Sequence, residues 1–152
     1  MKFLSYGKDG GPESTVSGYW LVEIKPLFSV VLLKFEHGSR DAYHEHAFNS
    51  VSWVLKGSLS EIHYGGDIDM HVPSWKPVVT KRSTFHMVWS VGTTWVLSFR
   101  GPWSASWREY IPSTDKFVTL KDGRKEISKE ESWELFLKDQ HRLNSQKKAG
   151  VG

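Results

Sequence analysis

Residues 43–57, YHEHAFNSVSWVLKG, place two histidines one residue apart ahead of an apolar run that ends in glycine. In a β-strand the side chains of His44 and His46 point to the same face, because side chains alternate between the two faces of a strand. Two imidazoles on one face can converge on a single ion. Such pairs also occur on solvated strands, so the pair by itself is compatible with a metal site and with a polar surface.

The rest of the chain is divided into short apolar, β-branched and aromatic runs separated by Gly or Pro. Runs spaced about 8–12 residues apart predict an all-β sandwich or barrel. Residues 1–18 include the Gly- and Ser-rich segment GKDGGPESTVSG, and we expect them to form an arm or loop. The predicted strands are YWLVEI (19–24), LFSVVLLKFE (27–36), SVSWVL (50–55), LSEIHY (59–64), KPVV (76–79), FHMVWSV (85–91) and TWVLSFR (94–100).

One helix is predicted after the barrel of residues 19–127, over residues 128–143. Ser128 and Glu131 have the spacing of a capping box. We interpret the segment as a helix that packs its apolar face on the barrel; the alternative is a helix that binds a partner. Residues 144–152 are predicted to be a disordered basic tail. Helical spacing puts on one face Trp133, Phe136, Leu137 and Gln140.

The composition limits the classes of function. A chain of 152 residues with 39% hydrophobic and 24% charged residues fits one globular domain. A net charge of +3 without a basic stripe gives no reason to expect nucleic-acid binding. The lack of cysteine excludes disulfides, thiolate metal ligands and a cysteine nucleophile. The sequence shows neither a signal peptide nor a membrane span, so we expect a cytoplasmic protein that does not bind membranes.

The spacing around the histidine pair resembles the first motif of the cupin superfamily, G-x5-H-x-H-x3,4-E-x6-G. Gly38, His44, His46 and Gly57 match in register, whereas Ser50 stands where the motif has glutamate. The second cupin motif ends in a histidine that supplies a further ligand. In KRSTFHMVWS (81–90) only that histidine, His86, is kept.

The resemblance implies a cupin-like double-stranded β-helix, which is a jelly-roll barrel, with a divalent metal ion in its mouth. It implies the ligands His44, His46 and His86, three neutral nitrogens and no carboxylate. This set is similar to that of the thiol dioxygenases and some ring-cleaving dioxygenases, which use non-heme Fe(II). Zn(II), Ni(II), Cu(II) and Mn(II) also suit imidazole ligands. The first hypothesis is therefore an Fe(II)-dependent oxygenase, and the charge left on the metal favours a small anionic or chelating substrate.

Other polar residues are candidates for the pocket. For catalysis these are Ser50, which could order a water or a substrate group, and His63 and Tyr64, whose strand could face the cavity. A guanidinium binds carboxylate or phosphate in a bidentate fork, so arginines are candidates for a substrate clamp. The alternative for each is a packing or surface role. The candidate substrate-binding residues are Arg40, Ser52, Arg82 and Arg100, and a candidate aromatic wall is formed by Trp89, Trp95, Trp103 and Trp107.

Two further functions stay open at this point. The first is a non-catalytic cupin that captures a small ligand such as a phosphorylated sugar or a nucleotide. The second is an isomerase or hydrolase in which the metal polarises a carbonyl. That chemistry needs a general base, for which Glu61, His63 and Tyr64 are the sequence candidates. In each case the partner is a small molecule, and a homodimer is expected because exposed strand edges need cover.

Overall fold

The structure, a computed structural model, describes residues 1–12, 14–38, 42–122 and 124–149, with helix side chains described up to His141. A 3-10 turn spans Pro112–Thr114, and one α-helix, α1, spans Lys129–Ala149. All other elements are strands. In chain order they are β1 (Lys2–Lys8), β2 (Val16–Ile24), β3 (Phe28–Phe35), β4 (Tyr43–His44), β5 (Ser50–Lys56), β6 (Leu59–His63), β7 (Ile68–His71), β8 (Val78–Thr80), β9 (His86–Ser90), β10 (Thr94–Arg100), β11 (Ser106–Ile111), β12 (Lys116–Lys121) and β13 (Lys125–Glu126).

The strands form two antiparallel sheets. The first has the order β1-β2-β3-β10-β5-β8, and the second has the order β13-β12-β11-β4-β9-β6-β7. A hydrophobic core lies between them, since Trp20, Val31, Leu33 and Val96 of the first sheet cluster with Leu59 of the second. Burying one such side chain contributes about 1.5–3 kcal/mol. The all-β prediction is confirmed, and all seven predicted strands correspond to β2, β3, β5, β6, β8, β9 and β10.

The register of the second sheet aligns four polar side chains. Glu109 of β11 lies opposite His44 of β4, His44 lies opposite His86 of β9, and His86 lies opposite His63 of β6. Residues directly opposite each other in a sheet share a face. A row of one carboxylate and three imidazoles therefore crosses four strands on one face of the sheet.

Two glycines of the first motif have different structural reasons. Gly57 has φ +83°, and a Cβ there would lie 2.4 Å from Thr94 Oγ1 and 2.7 Å from the Thr93 carbonyl oxygen. Gly38 has φ +101° with open space around it, and it exchanges two backbone hydrogen bonds with Ser90. Gly57 is required by both conformation and space, and Gly38 by conformation.

The N-terminal segment is not the arm or loop predicted for residues 1–18. Strand β1 pairs with β2 from Lys2↔Glu23 to Lys8↔Ser17. The Gly- and Ser-rich residues are the connection of this hairpin, closed by the hydrogen bond from Asp9 N–H to the carbonyl of Val16, 2.9 Å. The prediction was wrong because strand pairing satisfies the backbone of a segment whose composition is typical of a loop.

The C-terminal helix begins as predicted but packs differently. The Ser128 hydroxyl accepts a hydrogen bond from Glu131 N–H, 3.2 Å, which is the expected cap. The apolar residues of the predicted packing face, Trp133, Phe136 and Leu137, are exposed, and the Trp133 ring stacks on Phe136 instead. Contact with the barrel includes the Asp139 carboxylate, which accepts from Ala105 N–H at 2.9 Å.

The helix also continues to Ala149, where the basic tail of residues 144–152 was predicted to be disordered. Residues 150–152 lie outside the described part of the chain. In the described residues no helix is long and apolar enough to cross a membrane.

Candidate metal centre

Three histidine side chains meet on the inner face of the second sheet. The ring centroids of His44, His46 and His86 are 5.1, 5.2 and 4.9 Å apart in pairs. One nitrogen from each ring lies within 4.8 Å of the other two, and Nε2 of His46 is 2.7 Å from Nε2 of His86. Nitrogen atoms this close can bind a common ion after small shifts, because metal–nitrogen bonds are about 2.0–2.1 Å long.

The backbone around the cluster fixes the position of His46. His46 follows the two-residue strand β4, and its N–H donates to the carbonyl of Arg82 at 3.3 Å. Arg82 N–H in turn donates to Asn49 Oδ1 at 2.8 Å. The loops before β5 and β9 thus hold His46 in place. Arg82, predicted to bind substrate, contributes to this through its backbone N–H and carbonyl groups.

The protonation state of His46 and the hydrogen bond of His44 suit metal binding. Burial, followed by the nearby charges of His44 and His86, holds the pKa of His46 well below its usual value, so this ring is neutral at pH 7. Nδ1 of His44 donates to the Ala42 carbonyl at 3.3 Å, which makes Nε2 the nitrogen with the lone pair. Metal ligation requires neutral imidazole. The donor set therefore fits the divalent ion that the sequence predicted.

Glu61 orients the third histidine of the cluster, His86, from the neighbouring strand. Its Oε1 accepts a short hydrogen bond from His86 Nδ1, and its Oε2 accepts from His71 Nε2 at 2.7 Å. Burial alone would raise the pKa of Glu61, but these hydrogen bonds outweigh it and lower the pKa to about 2. An ionised carboxylate on Nδ1 leaves the Nε2 lone pair of His86 for the ion and makes the ring a stronger ligand.

A cavity of about 710 Å³ opens beside the cluster, and His44 and His46 form part of its wall. Trp103 and Trp107 line it, so half of the predicted aromatic wall is present. Trp95 instead stacks on Tyr19 at 5.8 Å, and Trp89 is partly exposed, with its edge against His37. The remaining large apolar residues of the described wall are Val16, Trp20, Leu33, Phe35, Phe48 and Val88.

Arg100 lines this cavity, but its guanidinium already binds a carboxylate. Its side chain is only 4% exposed, and its two terminal nitrogens donate to Asp9 at 3.2 and 2.7 Å. The guanidinium also lies 4.6 Å from the centre of the Phe48 ring. Arg100, predicted to bind a substrate anion, thus lies at the cavity, and its guanidinium binds the carboxylate of Asp9 from the hairpin loop.

A second buried ion pair was not anticipated. Glu109, opposite His44 in the sheet, accepts two hydrogen bonds from Arg124 at 2.9 and 2.8 Å. Trp107 Nε1 also donates to Glu109 at 3.3 Å. A signal in the sequence could have indicated Glu109: in WREY (107–110) it lies two residues after Trp107, so in a strand both side chains point to the same face.

The two predicted site serines, Ser50 and Ser52, lie on β5 of the first sheet. Ser50 is buried in the first sheet, opposite Arg100 and Thr80, and Ser52 donates to Ser98 Oγ at 2.9 Å. Neither serine is among the described residues that line the cavity. The predicted site residue Arg40 lies outside the described residues.

His63 and Tyr64 are separated by strand alternation. The His63 ring lies 6.4 Å from the His86 ring, on the inner face. Tyr64 is exposed and contacts Tyr43, Phe85, Tyr110 and Phe117 in an aromatic cluster on the other face. The prediction was that the strand of His63 and Tyr64 could face the cavity. Tyr64 lies on the other face, since neighbouring side chains alternate, and neither residue is among the described residues that line the cavity of about 710 Å³.

Comparison with known proteins identifies the architecture. A scan of protein-family models and a search of curated proteins found no match to this sequence. Among solved structures, a sugar phosphate isomerase of the cupin superfamily from Silicibacter pomeroyi matches with a TM-score of 0.58 and 15% identity, over 84% of this chain and 89% of that chain. This chain has a cupin fold.

Two other cupin-fold neighbours cover less of the chain. The polyketide cyclase RemF from Streptomyces resistomycificus has a TM-score of 0.54 and 15% identity, over 64% of this chain and 73% of RemF. The Fe(II) form of HppE has a TM-score of 0.52 and 13% identity, over 63% of this chain and 55% of HppE. The predicted jelly-roll is confirmed, and at these identities the likeness concerns the cupin fold alone.

Proposed function

We propose that this chain is a metal-dependent enzyme, and that it is an Fe(II)-dependent oxygenase for a small anionic or chelating substrate. The observation that carries this proposal is the meeting of His44, His46 and His86 at the wall of a large cavity, with Glu61 fixing the orientation of His86. Three protein ligands leave coordination positions for water and substrate, as in catalytic metal sites. A bound Fe(II) would supply the electrons and the open position for oxygen chemistry.

The cavity suits a small substrate. Its volume lies in the upper half of the range of about 300–1,000 Å³ that is typical of small-molecule sites. Phe48, Trp103 and Trp107 offer apolar surface that can cover a planar group and exclude water. Charged side chains of both signs line its described wall in equal number. The cations are Lys2, Lys8, Lys25, Arg100 and Arg124, and the carboxylates are Asp9, Glu23, Glu45, Glu109 and Asp122. We infer that the metal holds one polar group of the substrate while a cation holds another.

Arg100 is the cation best placed to recognise an anion. In its pair with Asp9, the guanidinium donates two hydrogen bonds to one carboxylate, which is the bidentate geometry by which arginine binds anions. Asp9 belongs to the hairpin loop and is more exposed than Arg100. A substrate carboxylate or phosphate could therefore exchange with Asp9 while Arg100 keeps an anionic partner.

Two structural neighbours support different chemistries. The Fe(II) form of HppE supports iron as the metal, although the chain spans only 55% of HppE. The sugar phosphate isomerase, matched over 89% of its length, supports a second candidate: a cupin that binds or isomerises a phosphorylated sugar. The second candidate shares the same cavity and needs the same cations. A homodimer and a cytoplasmic location are kept as predictions from the sequence.

The test is metal content together with oxygen consumption. The protein is purified anaerobically, loaded with Fe(II), and compared with His44→Ala, His46→Ala and His86→Ala, and with His37→Ala as a control outside the cluster. Each cluster variant should lose one equivalent of iron relative to the wild type, and His37→Ala should lose none. A screen of small acids, chelating compounds and sugar phosphates should then find iron-dependent oxygen uptake that the cluster variants lack.

Two results would overturn the proposal in different ways. Full iron content in all three cluster variants would show that the metal lies elsewhere. Conversion of a sugar phosphate without oxygen uptake would replace the oxygenase by the second candidate.

A further inference from the structure

A separate group of metal-ligand side chains lies at the open edge of the second sheet. We propose that Glu61, His63 and Asp69, with His71 as a fourth ligand, bind a second divalent transition-metal ion. This site goes beyond the proposed function and does not depend on it, because its ion would be held by residues other than His44, His46 and His86.

The strand register brings these side chains together. Glu61 of β6 lies directly opposite Asp69 of β7, and His63 lies two residues along from Glu61 on the same face. His71 lies two residues along from Asp69, also on that face. Four potential ligands thus come from two neighbouring strands, which hold their Cα atoms at fixed spacings.

The distances fit an ion after small shifts. One ligand atom each from Glu61, His63 and Asp69 lies within 4.8 Å of the others. His63 Nε2 is 3.0 Å from Asp69 Oδ2 and 4.0 Å from Glu61 Oε1, and His71 Nε2 is 2.7 Å from Glu61 Oε2. Ligand atoms about 2.1 Å from one ion are roughly 3–4 Å apart, so Glu61, His63 and Asp69 need little rearrangement. His71 adjoins this group through its contact with Glu61.

The site opens into its own pocket. A cavity of about 490 Å³ is lined by Glu61, His63, Asp69 and His71, and none of its described lining residues also lines the larger cavity. The Asp69 side chain is 64% exposed, whereas that of Glu61 is 9% exposed. An ion can therefore enter from the Asp69 side and reach the buried carboxylate.

The donor set and the charge indicate the class of metal. Two carboxylates give the site negative charge, and Lys76 on the pocket wall offsets only part of it. Two imidazoles favour first-row transition metals such as Zn(II), Mn(II) or Fe(II) over Mg(II) and Ca(II), which prefer oxygen ligands. Glu61 can serve both sites, since Oε1 accepts from His86 while Oε2 faces His71.

The test counts zinc ions per chain. The full-length protein is stripped of metal, dialysed to equilibrium against Zn(II), and analysed for bound zinc. The variants are Asp69→Asn and His63→Ala for the new site, His46→Ala for the three-histidine site, and Asp67→Asn as a control with the same change of charge on the turn between β6 and β7. Thermal melting of each variant checks that it is folded.

We expect two zinc ions in the wild type and in Asp67→Asn, and one in Asp69→Asn, His63→Ala and His46→Ala. If Asp69→Asn and His63→Ala bind as much zinc as the wild type, the second site is refuted and these residues form only a hydrogen-bonded network. If the wild type binds one ion that is lost in Asp69→Asn and kept in His46→Ala, the second site stands and the three-histidine site fails. The two proposals therefore fail separately.

Discussion

Replacement of Glu61 by glutamine tests whether a carboxylate behind His86 strengthens the three-histidine site. Glutamine keeps the shape but loses the charge, so His86 Nδ1 would donate to a neutral oxygen and the amide group would face His71. Loss of such a supporting carboxylate typically costs about 10–100-fold in metal affinity, which corresponds to about 1.4–2.8 kcal/mol. We expect Glu61→Gln to weaken metal binding within that range and Glu61→Ala to weaken it further.

The assay measures metal binding by competition with a chelator of known affinity. All variants also carry Asp69→Asn, so that no ion binds at the second proposed site of Glu61, His63 and Asp69. Glu134→Gln, an exposed change of the same chemistry on the helix, serves as the control. Denaturant unfolding of the metal-free proteins separates stability from affinity, because a hydrogen bond to a charged group contributes about 1.5–3 kcal/mol to folding. If Glu61→Gln binds metal as tightly as the control, the Glu61 carboxylate does not support the site and the argument from its hydrogen bond is wrong.

Three further predictions concern the turn, the cavity and the metal. Gly57→Ala should lower the free energy of unfolding by about 1–3 kcal/mol in urea titrations, because the added Cβ would overlap Thr94. Gly92→Ala is the control: Gly92 also has a positive φ, +78°, but an added Cβ there would meet no atom of the described residues within 4 Å, so the loss should be smaller. Equal losses of stability in the two variants would contradict the steric argument. Asp9→Asn should free the Arg100 fork for external anions, so that phosphate raises its melting temperature more than that of the wild type; an equal shift would show that the fork does not bind added anions. Chelation of the iron-loaded protein should lower its melting temperature, since an ion bound only by the folded state stabilises that state, and an unchanged midpoint would contradict a metal held by the native fold.

Hydrophobic patterning in the sequence was sufficient to predict the central strands but not the strands that contain many polar residues. The runs at residues 50–55 and 94–100 correspond to β5 and β10 within one residue. Strand β4 has two residues, too few for any periodicity, although it carries His44. Strand β12, KFVTLK, buries Val118 and Leu120 but mixes charged with apolar residues, and both residues of β13 are exposed and charged. Their assignment depends on pairing with β11, which is a long-range property.

The clustering of three histidines could be predicted from the sequence, but their hydrogen-bond partners could not. His44 and His46 are neighbours along the chain, and the motif spacing indicated His86. The Glu61–His86 contact joins residues 25 apart, and the Asp9–Arg100 pair joins residues 91 apart. Such contacts are set by strand register and by the path of the hairpin loop, which local patterns do not encode. The prediction of which helix face packs on the barrel was wrong for a similar reason, since polar contacts such as the one between Asp139 and Ala105 N–H join α1 to the barrel.

The substitution of serine for the motif glutamate has a counterpart in the other sheet. Ser50 lies in the first sheet beside Arg100, whereas a carboxylate, Glu61, reaches His86 from the neighbouring strand β6. A carboxylate bound to the metal would neutralise part of its charge; one hydrogen-bonded to Nδ1 of a ligand strengthens that ligand and leaves a coordination position open. A metal bound here would therefore keep a high residual charge, and that charge favours a substrate that brings its own negative charge. The described cavity wall adds no net charge, because its five lysines and arginines are matched by five carboxylates.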